Sequence, residues 1–327
     1  MSLGRGCRGA SVRTIVNTTP TQQVDDPAPA RGRALVLGGG GSTGNAWLIG
    51  VIGGLLDAGV DVTGADLVIG TSAGATTAAQ ICSANPAELL AATLAAAPPP
   101  PKGPVRPDSG GRASNAPVVN HLERTNAIIA AASDAADMRW RMGAAALELA
   151  AADGSAQARW RAVVAARLPS QHWPQRELLV TAVDAASGEG VVFDRHSGVD
   201  LADAVTASCS SGAAYAIGDN RYIDGGFRRN ENADLAGGYA RVIVLSPFGG
   251  RTRHPLNWGM QLATQVDELR AAGSRVETVF PDLSFEQVFG ANAMDVSLRA
   301  PAARAGHDQG SALADQLRGF WGPDAPS

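Results

Sequence analysis

Three short stretches carry groups whose types and spacing suit acyl chemistry. The first, Gly70-Thr71-Ser72-Ala73-Gly74, fits Gly-x-Ser-x-Gly. Between a buried strand and a helix, that spacing forces the serine out on a tight turn, and the glycines remove side chains that would clash there. The free N–H groups and positive dipole end of the following helix aim at the same spot, where both favour an oxyanion. The same five residues also suit a serine that only caps a helix beside a packing glycine.

The second stretch is Gly38-Gly39-Gly40-Gly41-Ser42-Thr43-Gly44. Consecutive glycines let backbone N–H groups converge on an anion. A nucleotide phosphate and the oxyanion of an acyl-transfer intermediate both fit that description. Gly39, Gly41 and Gly44 do match G-x-G-x-x-G, but the acidic residue that should end a second strand is missing. Asp61 lies before that strand and Asp66 begins it. No G-x-x-x-x-G-K-[ST] pattern occurs. The third stretch is Asp224-Gly225-Gly226 at the end of Arg221-Tyr222-Ile223. An aspartate there can present its carboxylate in the open, or simply form a tight turn.

A serine nucleophile needs a base, and histidine is the usual one. His121, His172, His196, His254 and His307 all fall outside an obvious strand-to-loop setting of the core. The best-placed polar partner is Asp224, which points to a Ser–Asp pair.

The elements that must position these groups read as an α/β domain. Arg33 to Gly38 and Asp66 to Gly70 are short buried strands, each ending in a glycine turn. Helical spacing follows each, over Ala46 to Leu56 and Ala73 to about Ser83. The order strand, turn, helix, strand, turn, helix implies a parallel sheet. Strands are expected again at 177–184, 190–194 (a hairpin with its predecessor), 221–224, 241–245 and 274–279. Helices are expected at 201–209, 261–272 and 298–320. Residues 1–31, polar and holding Pro20, Pro27 and Pro29, read as a disordered leader, and 32–322 as one α/β hydrolase domain. Within it, 98–170 form a proline-rich segment followed by helices, a candidate lid. Its Met138, Trp140, Met142 and Leu147 to Leu149 offer apolar surface for a substrate or for ordinary packing.

Composition narrows the class. The chain has 327 residues, 45 % hydrophobic and 18 % charged, enough for a large core without cross-links. The net charge of −4 and the lack of a basic stripe argue against nucleic acid. Cys7, Cys82 and Cys209 lie far apart, which suits a reduced cytoplasmic setting and suggests neither a disulfide framework nor a metal site. No apolar run reaches membrane-spanning length, so membrane contact would be peripheral.

Taken together, the three stretches resemble the patatin-like phospholipase family, which pairs a glycine-rich oxyanion turn, a Gly-x-Ser-x-Gly serine and an Asp-Gly-Gly aspartate in this order. The resemblance spans about Arg33 to Val279. Ala207-Ser-Cys-Ser-Ser-Gly212 is similar to the family's small-residue segment ahead of the aspartate, without its usual proline. The resemblance implies a three-layer α/β/α domain with a mainly parallel sheet. It implies Ser72 as nucleophile, Asp224 as base, and the amides of Gly39, Gly40, Gly41 and Ala73 as oxyanion donors. The reaction would cleave a lipid or other acyl ester with no metal or cofactor. An acyltransferase using the same serine, or a non-catalytic nucleotide-binding or scaffold protein, are the alternatives. One departure stands out: the family usually has Arg or Lys two residues after the third glycine, where this chain has Thr43. Arg33 and Arg195 are candidates to supply the missing charge.

Overall fold

The structure is a computed structural model that describes residues 13–15, 32–96, 116–150, 154–282 and 288–322. Five strands form its parallel core: β2 (Arg33–Leu37), β3 (Leu67–Gly70), β4 (Glu177–Asp184), β8 (Arg241–Leu245) and β9 (Arg275–Val279). Their order across the sheet is β4-β3-β2-β8-β9. The winding therefore reverses at β2, and a crevice opens beyond its carboxyl end, the usual place for a ligand in an open α/β sheet. The glycine turn lies there.

Both faces of the sheet are covered, so its strands are continuous apolar runs. Leu35, Leu37, Val68 and Ile243 face a core shared with α1 (Gly41–Asp57), α2 (Ala73–Ile81), α7 (Leu201–Ser208) and α9 (Arg299–Trp321). The alternate residues Ala34, Val36, Ile69 and Val244 face α8 (Leu262–Ala271) and residues 233–236. The result is a three-layer α/β/α arrangement around a mixed sheet. Its antiparallel part is β5 (Gly190–Phe193) along β4, plus the hairpin β6 (Tyr215–Ile217) and β7 (Asn220–Asp224).

Several elements differ from expectation. α1 begins at Gly41, not Ala46, so the glycine turn is itself the first turn of the helix. Glycine is a poor helix former, but this helix lies between the sheet and α9, and packing overrides propensity. An unanticipated helix, α3 (Pro86–Ala95), is started by Asn85, whose side chain accepts from the Ala87 N–H at 2.8 Å, with proline in the first turn. The insertion contains α4 (Ala116–Ala131), α5 (Ala135–Glu148) and α6 (Ser155–Ala165). The proline-rich stretch before it lies outside the described residues. Of the expected leader, Arg13–Ile15 are described, and they form β1, antiparallel to β5 at the sheet edge. No described helix is long and apolar enough to cross a membrane.

α1 and α9 touch backbone to backbone. A Cβ on Gly50 or Gly54 would collide with the carbonyl oxygen of Ala303 or His307, and one on Gly306 or Gly310 with that of Trp47 or Val51. Gly54→Ala gains about 1 kcal/mol of helix propensity, yet the obstacle is backbone that can move only by separating the two helices. We expect Gly54→Ala to destabilise the fold by at least about 2 kcal/mol. Denaturant melts check this; a neutral or stabilising result would mean that the helices can part at little cost.

Candidate active site

β4 acts as the ruler that brings the two key residues together. β3 pairs with its first half, ending with Gly70 opposite Val180. β5 occupies the other edge, with Val180 opposite Phe193 and Ala182 opposite Val191. β7 therefore joins β4 on the β3 side, running the other way, with Asp224 opposite Ala182. The ends of β3 and β7 thus point at each other across two residues of β4, about 7 Å. Ser72 lies just past one end and Asp224 at the other.

Between β3 and α2 the chain turns sharply. Ser72 sits at φ 54 and ψ −116, a conformation that costs a non-glycine residue on the order of 1–3 kcal/mol. The surroundings hold it there. Its N–H donates to Ser208 Oγ at 2.9 Å, and Cys209 Sγ donates to its carbonyl at 3.2 Å. On either side, the Thr71 N–H donates to Leu37 O at 3.1 Å and the Gly74 N–H to Thr71 O at 2.8 Å. Gly74 lies against the Leu37 carbonyl so closely that no side chain fits.

Ser72 Oγ donates to Asp224 Oδ2 at 2.7 Å, while Asp224 Oδ1 accepts from the Gly226 N–H at 2.8 Å. Asp224 is buried and Ser72 half-buried. Burial pushes the Asp224 carboxyl up to about 6, against the opposing pull of the Gly226 and Ser72 hydrogen bonds. Four of the five histidines have side-chain partners elsewhere: His121 lies beside Arg124, His254 bonds Thr252 and stacks on Trp258, His307 meets Asp57, and His196 lies beside Arg195.

The glycine turn departs in part from expectation. The Gly39 N–H donates to the Asn230 carbonyl at 3.0 Å, so that donor is already used; Gly38 likewise donates to Leu245 O at 3.0 Å. Among the described residues, none accepts from the amides of Gly40, Gly41 or Ala73. Gly39 still matters through its size. A Cβ there would come within 2.7 Å of Asn230 Oδ1 and 3.6 Å of Ser72 Cβ. Gly41 has φ +64 and lies against the Ala293 carbonyl, where any side chain would be strained and crowded. Thr43 is fully buried and donates its N–H to Ala293 O at 3.0 Å. Neither proposed substitute for its missing charge is nearby. Arg33 starts β2, at the far end of the strand from the turn, and donates to Trp321 O and Gly64 O. Arg195 bonds the Gln175 carbonyl and His196.

Sequence reading missed the loop after Asp224. Asn232 is fully buried at φ 53, a left-handed conformation that asparagine tolerates better than most residues. Its amide nitrogen reaches Thr71 Oγ1 at 3.0 Å, Thr181 Oγ1 at 3.2 Å and Gly225 O at 3.2 Å. One side chain thus ties the end of β3, the middle of β4 and the turn after β7. Glu231, also buried, accepts from Asn230 Nδ2 and Ser246 Oγ, and burial raises its pKa. Cys209, which bonds the Ser72 carbonyl, also lines a cavity of about 300 Å³ together with Leu149, Trp160, Ala213, Tyr215 and Met294, among others. Met138 and Met142 do not reach it; they pack in a core with Val183 and Ile223. Among the described residues, no cluster of His, Cys, Asp or Glu is arranged to hold a metal ion.

The sequence pattern of patatin-like phospholipases matches residues 35–236, most of the chain and all three chemical stretches, and the protein belongs to that family. Among solved structures, VipD from Legionella pneumophila matches at 14 % identity with a TM-score of 0.39, over 97 % of this chain and 72 % of that one. The type III effector ExoU matches at 15 % identity with a TM-score of 0.30, over 86 % of this chain. The match spans about half of ExoU, 53 %. Comparison with curated proteins found no match.

The raised Asp224 pKa has a stability consequence. A folded-state value near 6, above the ordinary 3.8, means that protonation favours the fold. That contribution is complete below about pH 4 and is lost as pH climbs through 6. Asp224→Asn removes the loss, so at pH 8 it should be more stable than the parent by about 2–3 kcal/mol. The gap should close below pH 4. Urea melts at both pH values check this; an equal gap at both would exclude the buried charge as its cause.

Proposed function

We propose that this protein is a serine acyl hydrolase cleaving carboxylic esters of lipids, with Ser72 as nucleophile and Asp224 as its base. The observation that carries the reading is the 2.7 Å hydrogen bond from Ser72 Oγ to Asp224 Oδ2, made from a strained turn onto a buried carboxylate. Strain at Ser72 and burial of Asp224 both oppose folding. Two such costs at one point, joined by one hydrogen bond, mark a working site more readily than a capping serine.

The chemistry follows from the geometry. Ser72 Oγ attacks the ester carbonyl and gives its proton to Asp224. The negative oxygen is held by the amides of Gly40, Gly41 and Ala73, at the N-terminal ends of α1 and α2. Collapse of the intermediate breaks the ester C–O bond, and Asp224 returns the proton to the departing alcohol. Water, deprotonated by Asp224, then frees the acid from the acyl-serine. A carboxylate of ordinary pKa is a weak base near neutrality, and burial moves Asp224 toward the working range. Family membership and the largely apolar cavity that shares Cys209 with the Ser72 turn both support an acyl chain as the group bound there. Leu149 and Met294 line that cavity and are 46 % and 60 % exposed, an apolar rim suited to peripheral contact with a lipid surface.

Ser72→Ala should abolish turnover of a p-nitrophenyl ester, a loss of at least about 1,000-fold, with the melting curve retained. Fluorophosphonate should label Ser72 in the parent. Unchanged turnover in the mutant, or no label, would remove the reading. For the parent, kcat/KM should rise with pH and level off above a midpoint near 6, because the base must be ionised in the free enzyme. A flat profile from pH 5 to 8 would show that Asp224 does not serve as the base.

A further inference from the structure

The carbonyl of Ser42, in the first turn of α1, carries a guanidinium from 257 residues away in sequence. Arg299, the first residue of α9, donates from Nη1 to Ser42 O at 2.8 Å and from Nη2 to Asn45 Oδ1 at 3.0 Å. A longer contact of 3.4 Å reaches Ser42 Oγ. The chain of bonds continues inward. Asn45 Nδ2 donates to Thr77 Oγ1 at 2.8 Å and to Gln80 Oε1 at 3.0 Å, and Thr77 Oγ1 donates to Ala73 O at 3.1 Å. Asn45, Thr77 and Gln80 are all buried. One guanidinium is thereby connected to both helix starts that carry the amides of Gly40, Gly41 and Ala73.

The charge is badly placed for folding. A cation at the N-terminal end of a helix opposes its dipole, and Arg299 sits at that end of its own helix and against that end of α1. Its partners among the described residues are all neutral oxygens, and it is half-buried. Burial lowers its pKa, and the charge of Arg167 lowers it further. An acidic or neutral residue would suit both helices better. What the arrangement does favour is an anion arriving at the α1 terminus.

We propose that Arg299 is a positioning residue for the oxyanion site, an inference that rests on the hydrolase reading. Through Ser42 and Asn45 it sets the first turn of α1 against that of α2. It also supplies positive potential at the start of α1, where the glycine turn itself carries no charged side chain. It acts on the transition state and makes no contact with the bound ester.

The test compares the parent, Ser72→Ala, Arg299→Ala and Arg299→Gln on a p-nitrophenyl ester. Arg299→Gln keeps reach and a hydrogen bond without the charge, and covers the case in which the alanine variant does not fold. Both Arg299 variants should lose kcat by about 100-fold with KM within about threefold, since small misplacement of donors is expensive. Their melting temperatures should not fall in proportion. Guanidinium chloride at about 20 mM should restore part of the Arg299→Ala rate, and equal sodium chloride should not. A kcat within about threefold of the parent in the folded variants overturns the inference while leaving the Ser72 reading intact. A loss that follows unfolding and is not restored by guanidinium does the same. A parent with no Ser72-dependent turnover overturns both.

Discussion

The geometry of the site depends on one shared hydrogen-bonding edge. β3 and β7 come from distant parts of the chain and run in opposite directions, yet both pair with the same side of β4. β3 stops at Gly70 because Ser72 and the start of α2 cannot continue a ladder. β7 stops at Asp224 because two glycines turn the chain away. The gap between them is set by the pleat of β4, so the separation of hydroxyl and carboxylate is as rigid as the sheet. Thr181, on the β4 residue between the two pairings, bonds Thr71 at 2.9 Å and receives Asn232 at 3.2 Å, filling the gap with a polar hub. The arrangement needs no third side chain to orient the Asp224 carboxylate, because it is held by the strand that bears it.

That rigidity is what allows unfavourable features to persist. A strained serine, a buried carboxylate, a buried glutamate and a guanidinium against a helix start each oppose folding. They are confined to the carboxyl ends of the parallel strands and the loops beyond them. The opposing stability comes from the layers beneath, chiefly the glycine-lined contact of α1 with α9 and the apolar strands on both faces of β2. α9 thus serves two ends of the problem: its middle clamps α1, and its first residue reaches the glycine turn.

Much of this was legible from the residues because parallel strands are continuous apolar runs and the turns after them are marked by glycine. The serine turn, the aspartate at a strand end and the α/β layering could be read from local pattern. The pairing of Ser72 with Asp224 follows from the poor placement of the histidines and is strengthened by the family resemblance, but nothing local states which edge of β4 receives β7. The start of α1 is hidden in the sequence because glycine signals a break, while its burial is a tertiary fact. Gly39 reads as a donor from its place in the glycine run, yet its amide is taken by Asn230, whose position depends on a loop that reads only as polar residues. Asn232 and Arg299 were invisible for the same reason: their roles come from partners up to 257 residues away.

The short strand β1 bears on how the molecule behaves in company. Without it, β5 would be the outermost strand, a fully buried apolar ribbon in Gly190–Phe193 with its outer N–H and C=O groups unmatched. Such an edge is a template for another chain. Arg13 and Thr14 cover it with exposed polar side chains, and Arg13 lies 3.9 Å from Asp194 across the seam. Trimming the chain back to its first core strand would leave the face bearing Ser72 and Asp224 intact but strip that guard, trading a tidy N-terminus for a surface prone to self-association.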